Sequence, residues 1–305
     1  MDDRTIAALL AAMPQALIRS FFDPATFTVT HAVADPQARR VAIIDPVLDY
    51  DPSSGRTATR SADAVAAWVR EQGFAVDWLL ETHAHADHLS AAPYLQQQLG
   101  GKLAIGARIR DVQQVFRKLF NTSEIAVDGT PFERLFDDGE HFAIGALDVE
   151  VMHTPGHTPG CVSYALRSDA GLDVFIGDTL FMPDYGSARC DFPGGDAATL
   201  YRSIRRLLAL PPDTRLHLCH DYPPGTPPSR GPQWLSTVAE QRRANVHVRD
   251  GIDAAAFVAM RSARDQTLGK PALLLPAIQV NVRAGHWPAP EANGVRYLKI
   301  PMNAL

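Results

Sequence analysis

Residues 81–88 read Glu-Thr-His-Ala-His-Ala-Asp-His, which puts three imidazoles and a carboxylate within six residues. An apolar, strand-like run (Val76 to Leu80) leads into this stretch, and a helix-like run (Leu89 to Leu99) leaves it. Core packing does not call for ligand-type side chains at that density. Neutral imidazole is the commonest protein ligand for zinc and iron, and carboxylates complete such sites. A fold that accepts this segment must set it on a turn at the end of a strand, where side chains from other segments can converge on it.

The chain supplies such a scaffold. Its 305 residues are 46% hydrophobic, enough for a sizeable core in one large domain or a domain with an extension. A net charge of −5 argues against nucleic acid as a partner, because phosphate binding wants a basic face. No apolar run approaches the ~20 residues that span a bilayer. The patch Ile6–Leu10 is too short and badly flanked for a signal peptide. Three cysteines over this length make no disulfide framework, so the expected compartment is the reducing cytoplasm.

Along the chain, Thr26–Ala34 and Arg40–Ile44 read as a hairpin that ends at Asp45-Pro46. Leu48–Arg60 is polar and rich in turn residues, which predicts a loop. Ser61 looks like an N-cap for a helix stopped by Gly73. A strand over Lys102–Ile105 and an amphipathic helix over Ile109–Phe120 follow. Leu147–Met152 alternates and delivers His153-Thr154-Pro155-Gly156-His157-Thr158-Pro159-Gly160, a loop set by its Pro-Gly pairs. Strands over Cys161–Leu166 and Val174–Ile176 come next, the second running into Gly177-Asp178. A helix over Asp196–Leu210 and a strand over Arg215–Leu218 then lead to Cys219-His220-Asp221-Tyr222. Helix-like runs Trp234–Asn245 and Ala254–Arg264 precede an irregular tail. The expected division is a catalytic domain over 1–230 and a dependent C-terminal extension over 231–305.

Ligand-type residues therefore stand where four separate strands end: His83, His85, Asp87 and His88 after one, then His157, Asp178 and His220. Loops at one edge of a sheet scaffold are where convergent sites are built. The order H-x-H-x-D-H, P-G-H-T-P-G, G-D, H resembles the metallo-β-lactamase superfamily over roughly residues 25–225. The resemblance implies an α/β fold, the four-layer αββα sandwich, with two mixed sheets face to face, helices outside and metal at one edge. Ala188-Arg189-Cys190-Asp191-Phe192, Thr199-Leu200-Tyr201 and His220-Asp221-Tyr222 are similar to the persulfide dioxygenase branch. Glyoxalase II, the nearest relative of that branch, typically carries glutamate where Asp221 stands and lacks the Arg-x-Asp-Phe element.

Two metal arrangements fit these residues. By resemblance to the dioxygenase branch, one Fe(II) per chain is held by His83, His157 and Asp178, while His85, Asp87, His88 and His220 support it. Asp87 and His88 are then the candidates for proton handling. In the alternative, all of these residues hold two Zn(II) per chain with Asp178 bridging, as in glyoxalase-II-like thioester hydrolases. The implied substrates are glutathione persulfide and dioxygen, with Arg189 and Tyr222 as substrate-binding residues. Arg189 has a second reading, a salt bridge to Asp191. Cys190 is the best placed of the cysteines to carry a persulfide, whereas Cys161 and Cys219 read as buried fillers. His31, His141, His153, His217, His247 and His286 lack ligand context. The tail is read as an ordered extension packed over the sandwich, or as part of the pocket rim or a homodimer interface.

Overall fold

The computed structural model describes residues 14–303, so the patch Ile6–Leu10 lies outside the described residues. The chain runs β1 (Leu17–Asp23), β2 (Thr28–Asp35), β3 (Arg40–Ile44), β4 (Val47–Asp51), β5 (Arg56–Ala58), α1 (Arg60–Gln72), β6 (Ala75–Leu80) and β7 (Leu89–Ser90). It continues through α2 (Ala92–Leu99), β8 (Lys102–Gly106), α3 (Ile109–Leu119), β9 (Arg134–Phe136), β10 (His141–Ile144), β11 (Leu147–His153), β12 (Val162–Ser168) and β13 (Gly171–Phe175). The remainder is α4 (Ala197–Leu208), β14 (Arg215–His217), β15 (Leu235–Thr237), α5 (Val238–Ala244), α6 (Ala254–Asp265) and α7 (Leu274–Asn281).

Two six-stranded sheets form, in the orders β1-β2-β3-β6-β8-β9 and β10-β11-β12-β13-β14-β15. Both are mixed. In the first, β3, β6, β8 and β9 run parallel; in the second, β13 and β14 do. Three separate apolar clusters define the layers. Val33, Ile44, Leu80, Phe142, Tyr164 and Phe175, drawn from both sheets, fill the space between them. The outer face of the first sheet packs on α1, α2, α3 and α7 through Val65, Leu95, Phe116 and Ile278. The outer face of the second packs on α4 and α6 through Leu200, Ile204 and Phe257. The result is the expected αββα sandwich. Because each sheet is covered on both faces, all eight residues of β2 are buried, and its apparent alternation does not mark a solvent face.

Several boundaries differ from the sequence expectation. Residues 48–60 are not a loop: β4 and β5 form a small hairpin, with β7 pairing on the other side of β4. Its turn is closed by the Asp51 carboxylate, which accepts from Ser53 and Ser54. Helix α1 is capped at Thr59 rather than Ser61, whose amide and hydroxyl instead donate to Asp49. The run after His88 opens as strand β7, and α2 starts only at Ala92, with proline in its first turn. The run beginning at Trp234 opens as strand β15, the far edge of the second sheet, before α5. The tail is not irregular throughout, since it contains α7. Among the described residues, no helix is long and apolar enough to cross a membrane.

The buried His31 shows how the inner layer constrains pH tolerance. Its Nε2–H donates to the Leu218 carbonyl at 3.0 Å, and its Nδ1 meets Ser20 Oγ at 2.9 Å. Burial, reinforced by nearby His217, lowers its pKa from 6.5 to about 3. Below pH 6.5 the unfolded chain takes up a proton that the folded protein refuses, so this contribution to stability is lost as pH falls toward 3. The slope reaches about 1.4 kcal/mol per pH unit. In denaturant titrations, the wild type should lose about 1.6 kcal/mol more than His31→Gln between pH 6.5 and pH 5. Equal losses in the two proteins would remove His31 as the cause.

Candidate metal centre

The two sheets meet at one edge through backbone bonds that bring separate loops together. The Val29 amide donates to the Cys219 carbonyl at 2.7 Å, and the Asp221 amide to the Phe27 carbonyl at 3.2 Å. At this edge the segments after β6, β11, β13 and β14 converge. Gly156 makes the His157 loop feasible: its φ is +135°, and a Cβ there would lie 2.3 Å from the backbone of Leu200. Gly177, at φ +50°, lets the Asp178 turn press on Thr82, whose Oγ1 would be 2.7 Å from an added Cβ.

The converged side chains form two main groups. His83, His157 and Asp178 bring ligand atoms within 4.8 Å of one another, and so do His85, Asp87, His88 and His220. Cys219 makes two further sets by the same measure, with Asp45 and His85 and with Asp178 and His220. Asp178 faces both groups. Its Oδ2 lies 3.8 Å from His83 Nε2 and 3.6 Å from His157 Nε2, while Oδ1 lies 3.4 Å from His220 Nε2. Asp87 Oδ2 is 3.3 Å from His220 Nε2 and 3.3 Å from His88 Nδ1.

Orientation is set by what the far ring nitrogens bond. His157 Nδ1 meets the Arg189 carbonyl at 2.8 Å, and His220 Nδ1 meets the Phe27 carbonyl at 3.3 Å. A carbonyl only accepts, so each ring donates from Nδ1 and leaves its Nε2 lone pair facing the centre. His83 Nδ1 meets Thr82 Oγ1 at 3.0 Å. His85 is reversed: Nε2 is held by Asp45 at 2.9 Å, which turns Nδ1 inward.

Of the nine buried side-chain atoms without a hydrogen-bond partner among the described residues, five belong to this centre: His83 Nε2, His85 Nδ1, His88 Nε2, His220 Nε2 and Asp178 Oδ1. Leaving one buried polar atom unpaired costs about 1–3 kcal/mol. His83 Nε2 belongs to the first group, His85 Nδ1, His88 Nε2 and His220 Nε2 to the second, and Asp178 Oδ1 faces His220. The arrangement therefore fits cation binding, with an ion needed in each group to satisfy all five. The donor set of imidazole and carboxylate suits zinc and iron alike. Burial, then the neighbouring His85 and His157, hold His83 well below the usual histidine range, which keeps its lone pair free. Burial and His85 likewise lower His88. Against the burial penalty, Asp45 and Glu81 hold His85 well above that range, so a metal must displace a proton there. Also against burial, His220 and His88 keep Asp87 well below the usual carboxylate range.

A cavity of about 240 Å³ opens over the centre, with Asp87, His157 and Asp178 on its floor. Phe181, Tyr185, Phe192 and Tyr222 line it, and Arg189, Arg261 and Arg264 bring positive charge to it. The arginines are not equivalent. Arg189 grips Asp191 with two hydrogen bonds (2.6 and 2.7 Å) and donates a third to the Gly269 carbonyl at 2.7 Å. Arg261 is buried and paired with Asp265 at 2.6 Å. Arg264 is exposed and has no ion-pair partner among the described residues. Tyr222 lines the cavity and stacks on the His220 ring at 5.6 Å.

Sequence reasoning missed four residues that serve this centre: Asp45, Glu81, Asn281 and Arg264. Asp45 ends β3 in a left-handed conformation (φ +52°), which is rare for a residue other than glycine and was detectable only as a carboxylate before a proline. Cys190 is buried and does not line the main cavity. It borders a second hollow with Asp191, Gly195 and Asp265, and its thiol is pushed up in pKa by burial and by Asp265. Cys161 is buried, with its thiol pushed up to about 12 by burial. Cys219 is also buried and raised by burial, but its Sγ lies 3.5 Å from Asp45 Oδ2 and close to Asp178 and His220.

Comparison with known proteins agrees with this architecture. The family model described as "Metallo-beta-lactamase superfamily" matches residues 37–220. A Burkholderia pseudomallei protein named "Probable metallo-hydrolase" is 57% identical over 295 residues, covering 94% of this chain and 99% of that protein. "Glyoxylase B2" of Dictyostelium discoideum is 48% identical over 275 residues, covering 90% of this chain and 92% of that protein. Human "Persulfide dioxygenase ETHE1, mitochondrial" is 29% identical over 270 residues, covering 88% and 89%. The crystal structure of ETHE1 from Myxococcus xanthus superposes with a TM-score of 0.69 at 26% identity, covering 88% of this chain and 100% of that one. With its family model matched over more than half its length and its ligand-type residues gathered at one sandwich edge, this chain belongs to the metallo-β-lactamase superfamily.

Proposed function

We propose that the chain is a glutathione-dependent persulfide dioxygenase, with one iron(II) held by His83, His157 and Asp178. In the overall reaction glutathione persulfide, dioxygen and water give glutathione, sulfite and two protons. The observation that carries this reading is the contact between Arg189-Cys190-Asp191-Phe192 and His157. The Arg189 carbonyl fixes the His157 tautomer at 2.8 Å, and the Phe192 ring stands edge-on to the imidazole at 5.0 Å. The element that sets this branch apart in sequence therefore bears directly on one of the three ligands. Bound there, iron would supply open coordination positions and the redox chemistry that lets dioxygen react with sulfur.

The chain's own groups have separable roles. Phe181, Tyr185, Phe192 and Tyr222 exclude water around the reacting sulfur. Asp87, which lines the cavity beside His88 and His220, stays ionised there and is positioned to orient the reacting group by accepting a hydrogen bond rather than by keeping a proton. Arg264 is the cation left over for a substrate carboxylate, since Arg189 is already engaged by Asp191.

A second reading, a two-zinc glyoxalase-II-like thioester hydrolase, rests on its own observation. Asp178 turns one oxygen toward each ligand group, as a bridging carboxylate would. The names of the relatives at 57% and 48% identity, a metallo-hydrolase and a glyoxylase, also back this reading better than the dioxygenase one.

Three measurements test the proposal. With iron-loaded protein, an oxygen electrode should record one dioxygen consumed per glutathione persulfide, and anaerobic S-lactoylglutathione cleavage should be negligible. Rapid anaerobic thioester cleavage without persulfide-driven oxygen uptake would select the hydrolase. His83→Ala and Asp178→Ala should each lose iron, whereas His220→Ala should retain it; loss of half of a two-ion complement in His220→Ala sinks the mononuclear centre. Arg264→Ala should raise KM by about one to two decades, the equivalent of roughly 1.5–3 kcal/mol for a charged hydrogen bond, with metal content unchanged. An unaltered KM would retire Arg264 from substrate binding.

A further inference from the structure

The metal-ligand loop is gripped from outside the segment that the family model covers. Asn281, the last residue of α7, is 4% exposed and spends its whole side-chain amide on this loop. Its Nδ2 donates to the His85 carbonyl at 2.9 Å and to the His88 carbonyl at 2.8 Å, and its Oδ1 accepts from the Ser90 amide at 2.9 Å. The grip is reinforced four residues later. Gly285, at φ +83°, lies so close to the loop that a Cβ there would be 2.6 Å from Pro93 Cδ and 3.0 Å from the Ser90 carbonyl. The end of α7 is itself held, because Gln113 Nε2 donates to the Val282 carbonyl at 2.9 Å.

We propose that Asn281 is a positioning residue that sets the His85–Ser90 loop in its ligating conformation before an ion arrives, so that the C-terminal segment governs metal retention. The physical reason is the spacing of the three bonds. They hold the main chain at both ends of His85-Ala86-Asp87-His88, so the three ligand side chains between them share one fixed frame. Without this frame, metal binding would have to order the loop, and affinity would fall by the cost of that ordering. The inference rests on the two-zinc reading of the centre, in which His85, Asp87 and His88 are ligands; in the mononuclear reading the same loop only stands behind the ion held by His83, His157 and Asp178.

Zinc affinity, measured by chelator competition on metal-free full-length protein, tests it together with thermal melting. Asn281→Ala and Asn281→Asp should weaken zinc binding by about 10–100-fold, the usual effect of losing an outer-shell partner. The aspartate variant matters because its carboxylate would face two carbonyls that need a donor. Gln279→Ala is the control. That residue lies on the same helix and bonds Lys299 and Leu275 rather than the loop, so it should melt earlier yet bind zinc as the wild type does. Wild-type zinc affinity in the Asn281 variants, or an equal loss in Gln279→Ala, overturns the proposal. A measurement free of variants reads the same point: the Ser90 amide should be protected from hydrogen exchange in metal-free wild type, and exchange that slows only on adding zinc contradicts a preset loop. Failure of the wild type to bind zinc or iron at all would strike the metal centre itself rather than the clamp.

Discussion

The buried Asp45 carboxylate is the pin on which the metal centre hangs. It accepts from the Thr82 amide at 2.7 Å, from Thr82 Oγ1 at 2.8 Å and from His85 Nε2 at 2.9 Å. A carboxylate with 1% exposure is tolerable only because several donors surround it. Removing one partner of such a buried charged pair costs about 3–5 kcal/mol, because the other is left uncompensated. The left-handed backbone at Asp45 is the strain that brings this carboxylate under the end of β6. Through Thr82 it also fixes His83, and through His85 it reaches Glu81, whose carboxylate bonds Ser90 beside the Asn281 clamp. One anion thus ties the end of β3 to both flanks of the ligand loop.

Around this pin the protein holds an electrostatic imbalance. Four buried ring nitrogens and Asp178 Oδ1 face one region without a hydrogen-bond partner, while the opposite nitrogens of those rings meet a carbonyl, a hydroxyl or a carboxylate. Folding alone gains nothing from that arrangement, and the apolar layers on either side offset its cost. A cation reverses the balance. Stability and metal content should therefore be linked in this protein more tightly than the size of its core would suggest.

The same frame can serve either chemistry, and the difference lies in the surroundings of the ligands. Asp178 reaches both ligand groups, a geometry open to two ions. The Arg189–Phe192 element leans on His157 alone and narrows the cavity with an aromatic ring. Charge at the cavity follows from pairing rather than from counting arginines: Arg189 and Arg261 are neutralised by Asp191 and Asp265, which leaves Arg264 to meet an anionic group. In the proposed reading, electrostatic recognition of substrate therefore falls to α6, well outside the histidine motifs.

Much of the centre was legible in the sequence because local chemistry announces it. Imidazoles and carboxylates placed after β-former runs, with Pro-Gly and Gly-Asp punctuation, have few uses other than ligation, and the strand–helix rhythm implied a sheet scaffold to carry them. His83, His157, Asp178 and His220 could be picked out in this way. What the linear order could not carry was partnership across long separations. Asp45 meets His85 across 40 positions, Asn281 meets His88 across 193, and Arg264 comes to the cavity from a helix that reads only as amphipathic. The β4–β5 hairpin and β15 were misread for a related reason: strands this short take their stability from the neighbour they pair with, not from their own composition. Sequence fixes which groups can bind a metal, since that depends on the side chain alone. Only the tertiary structure decides which nitrogen each histidine presents and which arginine stays free, because both are set by hydrogen-bond partners brought from distant parts of the chain.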